Sequence, residues 1–473
     1  MTRLYQQLAN DVAALIRDGT LKAGDRILSV RETCRERGVS PATVVRAYEM
    51  LEAQGFIETR PRSGYYASAQ WDTRLQEPRK ATPSPKSLQL DVSELVFQVF
   101  DSVRDRDVVP LGSAFPSPML YPLRQLASCL GASARRMDPW STVQDLSPGS
   151  LELRRQIARR YLRSGSRVSP DEIIITSGAL EALNLSLQAL TRPGDIVAIE
   201  SPTFYGCLQA VEAHGLRAVE IPTHPRDGVD VGALEQALRR YKIRACWFMT
   251  NFQNPLGALV PDDARKDLVE LLARHDVPLI EDDVYAELYF GRRRPKSTKA
   301  FDRKGLVLNC GSFAKDLAPG YRLGWVAAGR FAQAVQRRKV MSTLATSVPI
   351  QNGIAMYLQQ GGYERHITRL RRTFANQQTA ALESLRRHFP SGCRVTRPEG
   401  GYFLWIELPD TVDAIEVQRL ALARGVSIAP GPIFSARREY RHCVRLNAGH
   451  PWTKGSDRAV AILGEIIRSR LSD

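Results

Sequence analysis

Lys315 closes the run Gly311-Ser-Phe-Ala-Lys315 and is followed by Asp-Leu-Ala-Pro-Gly-Tyr-Arg322. An isolated lysine is usually a solvated surface group, so its meaning depends on its company. Glu281-Asp-Asp-Val-Tyr285 clusters carboxylates at the end of an apolar run, which is costly unless a cation or a protonated ring nitrogen lies beside them. Gln253-Asn-Pro-Leu-Gly257 adds an amide, with a plain turn as the alternative reading, and Ser201-Pro-Thr-Phe204 adds an aromatic ring. Ser177-Gly-Ala-Leu180 opens a helical pattern, where free backbone amides can meet a phosphate or where glycine simply serves packing. An amine, an upstream Asp and Asn, a phosphate-binding helix start and a downstream arginine make up what pyridoxal phosphate needs. The amine serves a Schiff base, the carboxylate keeps the pyridine nitrogen protonated, and the donors hold phosphate.

These residues need a common scaffold. Apolar runs at 173–176, 196–199, 245–249, 277–280, 305–308 and 325–328 alternate with helical patterns, which predicts a largely parallel α/β sheet. In such sheets ligands bind beyond the carboxyl ends of the strands, where each motif falls. Residues 110 to 470 resemble fold-type I, aspartate aminotransferase-like enzymes. The resemblance implies that Lys315 carries the cofactor, Asp282 pairs with the ring nitrogen, and Asn254 and Tyr285 hold the ring hydroxyl. It also implies phosphate contacts from Gly178, Ala179, Ser312 and Arg322, and stacking by Phe204. Arg445, in Val-Arg-Leu-Asn-Ala-Gly449, matches the arginine that grips a substrate carboxylate. Two departures stand out: Gln144 where many relatives have a tyrosine that reaches a neighbouring subunit's phosphate, and Phe204 for the commoner tyrosine.

At the other end of the chain, Tyr5, Leu8, Ala9, Val12, Leu15 and Ile16 mark one face of a helix that Asp18-Gly19 stops. Ser29-Val-Arg-Glu32 is a capping box for a short second helix ended by Gly38. Ser40 and Pro41 start a third, with Val44, Ala47, Tyr48 and Leu51 as its buried stripe and Gly55 as its end. Residues 56–59 and 64–67 read as a hairpin with a basic tip. Three helices and a hairpin make a winged helix-turn-helix, in which the third helix enters the major groove. A small helical cap on an enzyme is the alternative. The stretch from Gly24 to Ser68 closely resembles the winged-helix domain of GntR-type bacterial regulators. That resemblance implies DNA contacts from Ser29 and Arg31, from Ser40, Thr43 and Arg46, and from Arg60, Arg62 and Gly64 in the wing. Leu28 stands where that family usually has proline.

The 473 residues suit about three structural units at roughly 150 residues each, and 43% hydrophobic with 25% charged residues is an ordinary folded composition. No apolar stretch reaches membrane-spanning length and the first residues lack a signal-peptide centre, so a cytoplasmic protein with no membrane partner is expected. Seven scattered cysteines without CxxC or histidine clusters suggest neither a metal site nor disulfides. The net charge of +16 favours a polyanionic partner, but residues 1–80 hold only 13 basic against 10 acidic groups.

The fold class expected is thus α/β: a winged helix-turn-helix over 1–68, a proline-containing solvated connector over 69–90, and an aminotransferase-like domain with large and small subdomains over 91–473. Together the two resemblances identify the MocR-type regulators, with LEALNLSLQAL, QNPLG and EDDVYAELYFG closest to the YdcR-like branch. Membership implies a homodimer, arranged head-to-tail, that binds double-stranded operator DNA and senses pyridoxal 5'-phosphate or a small amino compound. A working amino-acid aminotransferase with an accessory DNA-binding module is the alternative.

Overall fold

The computed structural model describes residues 4–17, 20–22, 24–53, 56–60, 63–68, 75–83 and 107–471, in two compact units, 1–76 and 77–473. In the first unit, α1 (Leu4–Arg17), α2 (Val30–Arg37) and α3 (Pro41–Ala53) precede the strands β1 (Ile57–Arg60) and β2 (Gly64–Ala67). The capping box forms as its sequence requires: Ser29 Oγ accepts from the Glu32 amide at 3.3 Å, and Glu32 accepts from the Ser29 amide at 2.7 Å. Gly38 ends α2 in the left-handed region. Leu8, Val12 and Ile16 of α1 bury against Val44, Tyr48 and Leu51 of α3 and against Phe56 and Ile57. Each such side chain contributes roughly 1.5–3 kcal/mol when fully buried. The β1–β2 hairpin is antiparallel, with Arg60 opposite Gly64. Asp18, Gly19, Gly55 and Arg62 lie outside the described residues.

Leu28, at the entry to α2, is held from α3. Its carbonyl accepts from the Tyr48 hydroxyl at 2.8 Å, so α3 fixes the turn that a proline would otherwise stiffen.

The second unit is built on an eight-stranded sheet ordered β3-β10-β9-β8-β7-β4-β5-β6. Its members are β3 (Ile173–Thr176), β4 (Ile196–Ser201), β5 (Arg217–His224), β6 (Gly228–Val229), β7 (Ile243–Phe248), β8 (Leu279–Asp282), β9 (Val307–Ser312) and β10 (Gly324–Ala327). Strands β5, β4, β7, β8 and β9 run parallel, whereas β10 runs against both neighbours and β6 folds back on β5. All six expected runs are strands, displaced by up to two residues at their starts. Strand β5 was not expected, because Glu220 and Pro222 interrupt its apolar text. A second, antiparallel sheet, β11-β12-β14-β13, comprises Arg394–Val395, Phe403–Glu407, Cys443–Asn447 and Ala429–Pro430 in that order.

A long helix, Gly362–His388, serves both sheets. Its first half buries Tyr363, Ile367, Leu370 and Phe374 in the core beneath the large sheet. Its last turns meet the C-terminal helix Lys454–Ser469, where Ser384 donates to Asp457 at 2.6 Å. Within the stretch read as a solvated connector, the residues around Glu77–Lys80 dock on this unit. Arg226 donates to Glu77 at 2.5 Å, the Arg79 amide donates to Glu407 at 2.9 Å, and Lys80 pairs with Asp230.

Candidate functional site

Strand β8 delivers Glu281 and Asp282, with Asp283 just beyond, and the period of two in a strand sends them to opposite faces. Glu281 accepts from Thr250 Oγ1, the Thr298 amide and Asn309 Nδ2 at 2.6–2.7 Å. Asp283 accepts from Asn251 at 2.7 Å and Asn309 at 3.1 Å. Asp282 is different: it is buried, and its Oδ1 has no hydrogen-bond partner. Burial, reinforced by the charge of Asp283, pushes its carboxyl up to about 7. Of three adjacent acids, one is left for a ligand that can donate a proton or carry positive charge.

Strand β9 ends at Ser312, and the turn that follows closes with the Leu317 amide donating to Phe313 O at 3.0 Å. This turn aims Lys315 inward, where Nζ donates to Ala114 O at 2.8 Å and lies 3.8 Å from the centre of the Phe115 ring. Burial, then the positive charge of Arg445, pushes the amine down to about 7, while Asp282 opposes the shift. The shift favours the free, nucleophilic amine over the charged form. Tyr285 is buried nearby, its ring centre 6.0 Å from Nζ, and packs edge-on to Tyr402 and Phe403.

Arg445 is 0% exposed on β14. It donates to Asn254 Oδ1 at 3.0 Å and to the carbonyls of Gly112 and Ser113 at 2.7 and 3.2 Å, and it lies over the rings of Phe403 and Phe434. Nε has no partner, and among the described residues no carboxylate pairs with it. A buried guanidinium satisfied by neutral oxygens alone is poised for an anion.

At the opposite end, Gly178 starts the helix Ala179–Leu190 with φ 93°. A Cβ there would come within 2.5 Å of Arg322 Nη2, which donates to Ser177 O at 3.1 Å. Glycine is thus required both for the backbone angle and for the close passage of the arginine. Gly324 of β10 plays the complementary part, since its Cβ would lie 2.6 Å from the Gly178 carbonyl carbon. Ser312 Oγ accepts from the Ala314 amide at 3.0 Å and donates to Leu323 O at 3.1 Å, so it shapes the lysine turn. Phe204, half-buried, caps the helix Tyr205–Ala213 and packs on the core cluster that contains Tyr285.

The structure brings Lys315, Asp282, Asn254, Tyr285 and Arg445 together, with Gly178, Ala179 and Arg322 forming the cradle at a helix start. Gln144 is exposed, in the short turn of helix Ser141–Gln144. The loop Gly112–Phe115 was not anticipated. Its carbonyls receive Lys315, Arg445, Tyr402 and Asn447, so it frames the pocket with backbone alone. Its one sequence signal is Gly112, whose Cβ would collide with the backbone of Ile428 at 2.7 Å.

In the first unit Arg31 and Ser40 are exposed, and Ser40 Oγ accepts from the Thr43 amide at 3.2 Å. Arg46 is exposed on α3 with its guanidinium 4.3 Å over the Tyr5 ring. Arg60 pairs with Glu58 at 2.8 Å and stacks on Tyr66. Gly64 has φ 110°, with the exposed Arg26, unforeseen from sequence, beside it. Ser29 is half-buried and engaged in its cap.

The residues present suit pyridoxal phosphate: an orphaned buried acid, a depressed amine, a glycine cradle and an anion-ready arginine. Comparison with known proteins agrees. Residues 135–462 match aminotransferase class I and II, and residues 4–66 match the bacterial regulatory proteins of the gntR family. The uncharacterized HTH-type transcriptional regulator YdcR of Escherichia coli is 45% identical over 99% of both chains. Aromatic-amino-acid aminotransferase 1 of Thermococcus litoralis is 30% identical over 82% of this chain and 94% of its own. The α-aminoadipate aminotransferase LysN of Thermus thermophilus, solved with N-(5'-phosphopyridoxyl)-L-leucine, superposes with TM-score 0.74 at 30% identity, covering 80% of this chain and 96% of that one. The chain belongs to the MocR-type regulators, in which a gntR-family DNA-binding region is joined to a pyridoxal-phosphate-dependent aminotransferase class I and II domain.

Proposed function

We propose that the protein is a cytoplasmic, homodimeric regulator that reads operator DNA with its first unit and senses pyridoxal phosphate or a carboxylated amino compound with its second. Lys315 carries the cofactor, and Asp282 holds the proton on the ring nitrogen. Asn254 and Tyr285 orient the ring hydroxyl, Phe204 covers the ring, and Gly178, Ala179, Ser312 and Arg322 bind the phosphate. When bound, pyridoxal phosphate supplies an electrophilic carbon for an amine, backed by an electron-withdrawing ring. Arg445 then selects ligands whose carboxylate accepts its paired N–H groups.

The observation that carries the reading is the buried Arg445, held by neutral oxygens and without a carboxylate partner among the described residues, within reach of Lys315's field in a chain that also bears a DNA-reading fold. α3 would place Ser40, Thr43 and Arg46 in the major groove, and the wing would place Arg60, Arg62 and Gly64 at the backbone, with Ser29 and Arg31 beside them. Operator binding measured beside steady-state amino-group transfer decides between this and the aminotransferase alternative. Tight DNA binding that responds to amino compounds, with negligible turnover, is the expected result. Rapid turnover with DNA binding indifferent to every ligand would make the protein an enzyme first.

A further inference from the structure

The unit that reads DNA is nearly neutral. Residues 1–76 carry 11 basic and 9 acidic side chains, whereas residues 77–473 carry 55 basic and 41 acidic. The excess positive charge therefore lies on the aminotransferase-like unit, and its pocket uses only a few of those groups.

Two neighbouring helices display it. On Leu151–Arg163, the face bearing Leu153, Ile157 and Tyr161 is buried, and Arg155 and Arg159 stand exposed, four residues apart. On Gly362–His388, the face bearing Tyr363, Ile367, Leu370 and Phe374 is buried, and Arg365, Arg369 and Arg372 stand exposed. The helices meet where Glu364 pairs with Arg160 at 2.9 Å and with Arg163. A second link runs through Glu152, which accepts from Gln359 at 2.6 Å and feels the charges of Arg155 and Arg159. Tyr357, on the helix of Gln359, feels those of Arg365 and Arg369. None of these five arginines has a carboxylate within ion-pair distance among the described residues. Glu152 and Glu364 are both already engaged.

Like charges at i, i+4 destabilise a helix, so a face that keeps them unpaired calls for a polyanion. Four helical residues advance about 6 Å, close to two phosphates of one DNA strand at about 3.4 Å of axis each. We propose that this arginine face is a second DNA-contacting surface, which takes the phosphate backbone of duplex outside the stretch read by α3 and the wing. The proposal rests on the regulator reading above. It predicts sequence-independent, salt-sensitive binding by the unit that holds the cofactor.

The test uses the full chain with all five arginines replaced (R155Q, R159Q, R365Q, R369Q and R372Q). Glutamine keeps helix propensity, and circular dichroism and retained cofactor colour check the fold. Affinity for a long mixed-sequence duplex is measured against salt. At about 0.9 per phosphate contact, the slope of log K against log salt should become shallower by up to about 4.5. Affinity at low salt should fall at least tenfold. A slope and affinity equal to wild type overturn the proposal. In that case a parallel chain carrying R46A and R60A, if it loses duplex binding, leaves the regulator reading standing. A wild-type chain that binds no duplex overturns both. Vesicles containing phosphatidylserine form a third arm: arginine-dependent vesicle binding without any change on duplex assigns the face to a membrane and also overturns the proposal.

Discussion

Replacing Arg445 by glutamine tests the ligand class directly. A ligand carboxylate held by two charge-assisted hydrogen bonds gains about 1.5–3 kcal/mol from each. Arg445 already donates to the carbonyls of Gly112 and Ser113, and loosening these neutral contacts costs about 0.5–1.5 kcal/mol apiece. The net loss in Arg445→Gln is then about 2–3 kcal/mol, or roughly 30- to 140-fold in affinity at 1.4 kcal/mol per factor of ten. The assay is a spectral titration of the cofactor-loaded protein with a series of L-amino acids and with the matching amines that lack the carboxylate. Wild type should prefer the amino acids, and the variant should lose that preference while its affinity for the amines stays within a few-fold. The amines serve as the internal control, since a general disturbance of Asn254 or the pocket would weaken both series. Equal losses for both series, or no loss for either, would refute the assignment of Arg445.

Lys315→Ala should yield no borohydride-fixed cofactor, read by peptide mass; an undiminished adduct on another lysine would refute its role. Without cofactor, Lys315→Met should stabilise the fold, because a buried amine pushed down to about 7 from 10.5 destabilises fully below pH 7. That gain should fade as pH rises from 7 toward 10.5, where both folded and unfolded amines are neutral, and thermal melts across pH measure it. Gly178→Ala should weaken cofactor binding more than tenfold, because its Cβ would meet Arg322 at 2.5 Å on a backbone with φ 93°; equilibrium dialysis of pyridoxal phosphate checks this. Arg46→Ala should cost about 1–3 kcal/mol of discrimination at one operator position if it reads a base, and footprinting shows it. Operator affinity should differ between apo and ligand-saturated protein, and operator DNA should change ligand affinity by the same factor.

Much of this was legible because punctuation and chemistry coincide. Ser29 with Glu32, Gly38, and Ser40 before Pro41 each state a helix boundary locally, and the structure forms those caps. The apolar runs at 277–280 and 305–308 announce strands, and the exits of those strands, at Asp282 and Ser312, hold the chemistry. What escaped depends on tertiary context. Strand β5 buries Glu220, whose carboxyl is held by Ser201 and the Ala436 amide, so its text reads as polar. The Gly112–Phe115 loop acts through carbonyls, which no side-chain pattern reveals. The resemblance singles out Asp282 in the Glu281–Asp283 cluster, but the physical ground for it, that Asn309, Thr250 and Asn251 satisfy the other two acids, is visible only in the structure.

The connector bears on how ligand and DNA could be linked. Glu77 and Lys80 are tied to Arg226 and Asp230, on the loops that follow β5 and β6, while Arg79 is tied to Glu407 at the end of β12. Strand β12 pairs with β14 so that Trp405 lies opposite Arg445, and Arg394 of β11 shares Glu407. A ligand that draws on Arg445 therefore acts on the sheet whose Glu407 carboxylate holds the connector, and the loops of the large sheet hold the same few residues through Arg226 and Asp230. Any shift between the two sheets must stretch or break one of these polar ties, whereas a freely solvated connector would absorb it. The chain reaching the DNA-reading unit thus leaves from a point that both sheets constrain, which is the physical requirement for a pocket event to have a differential effect on DNA binding.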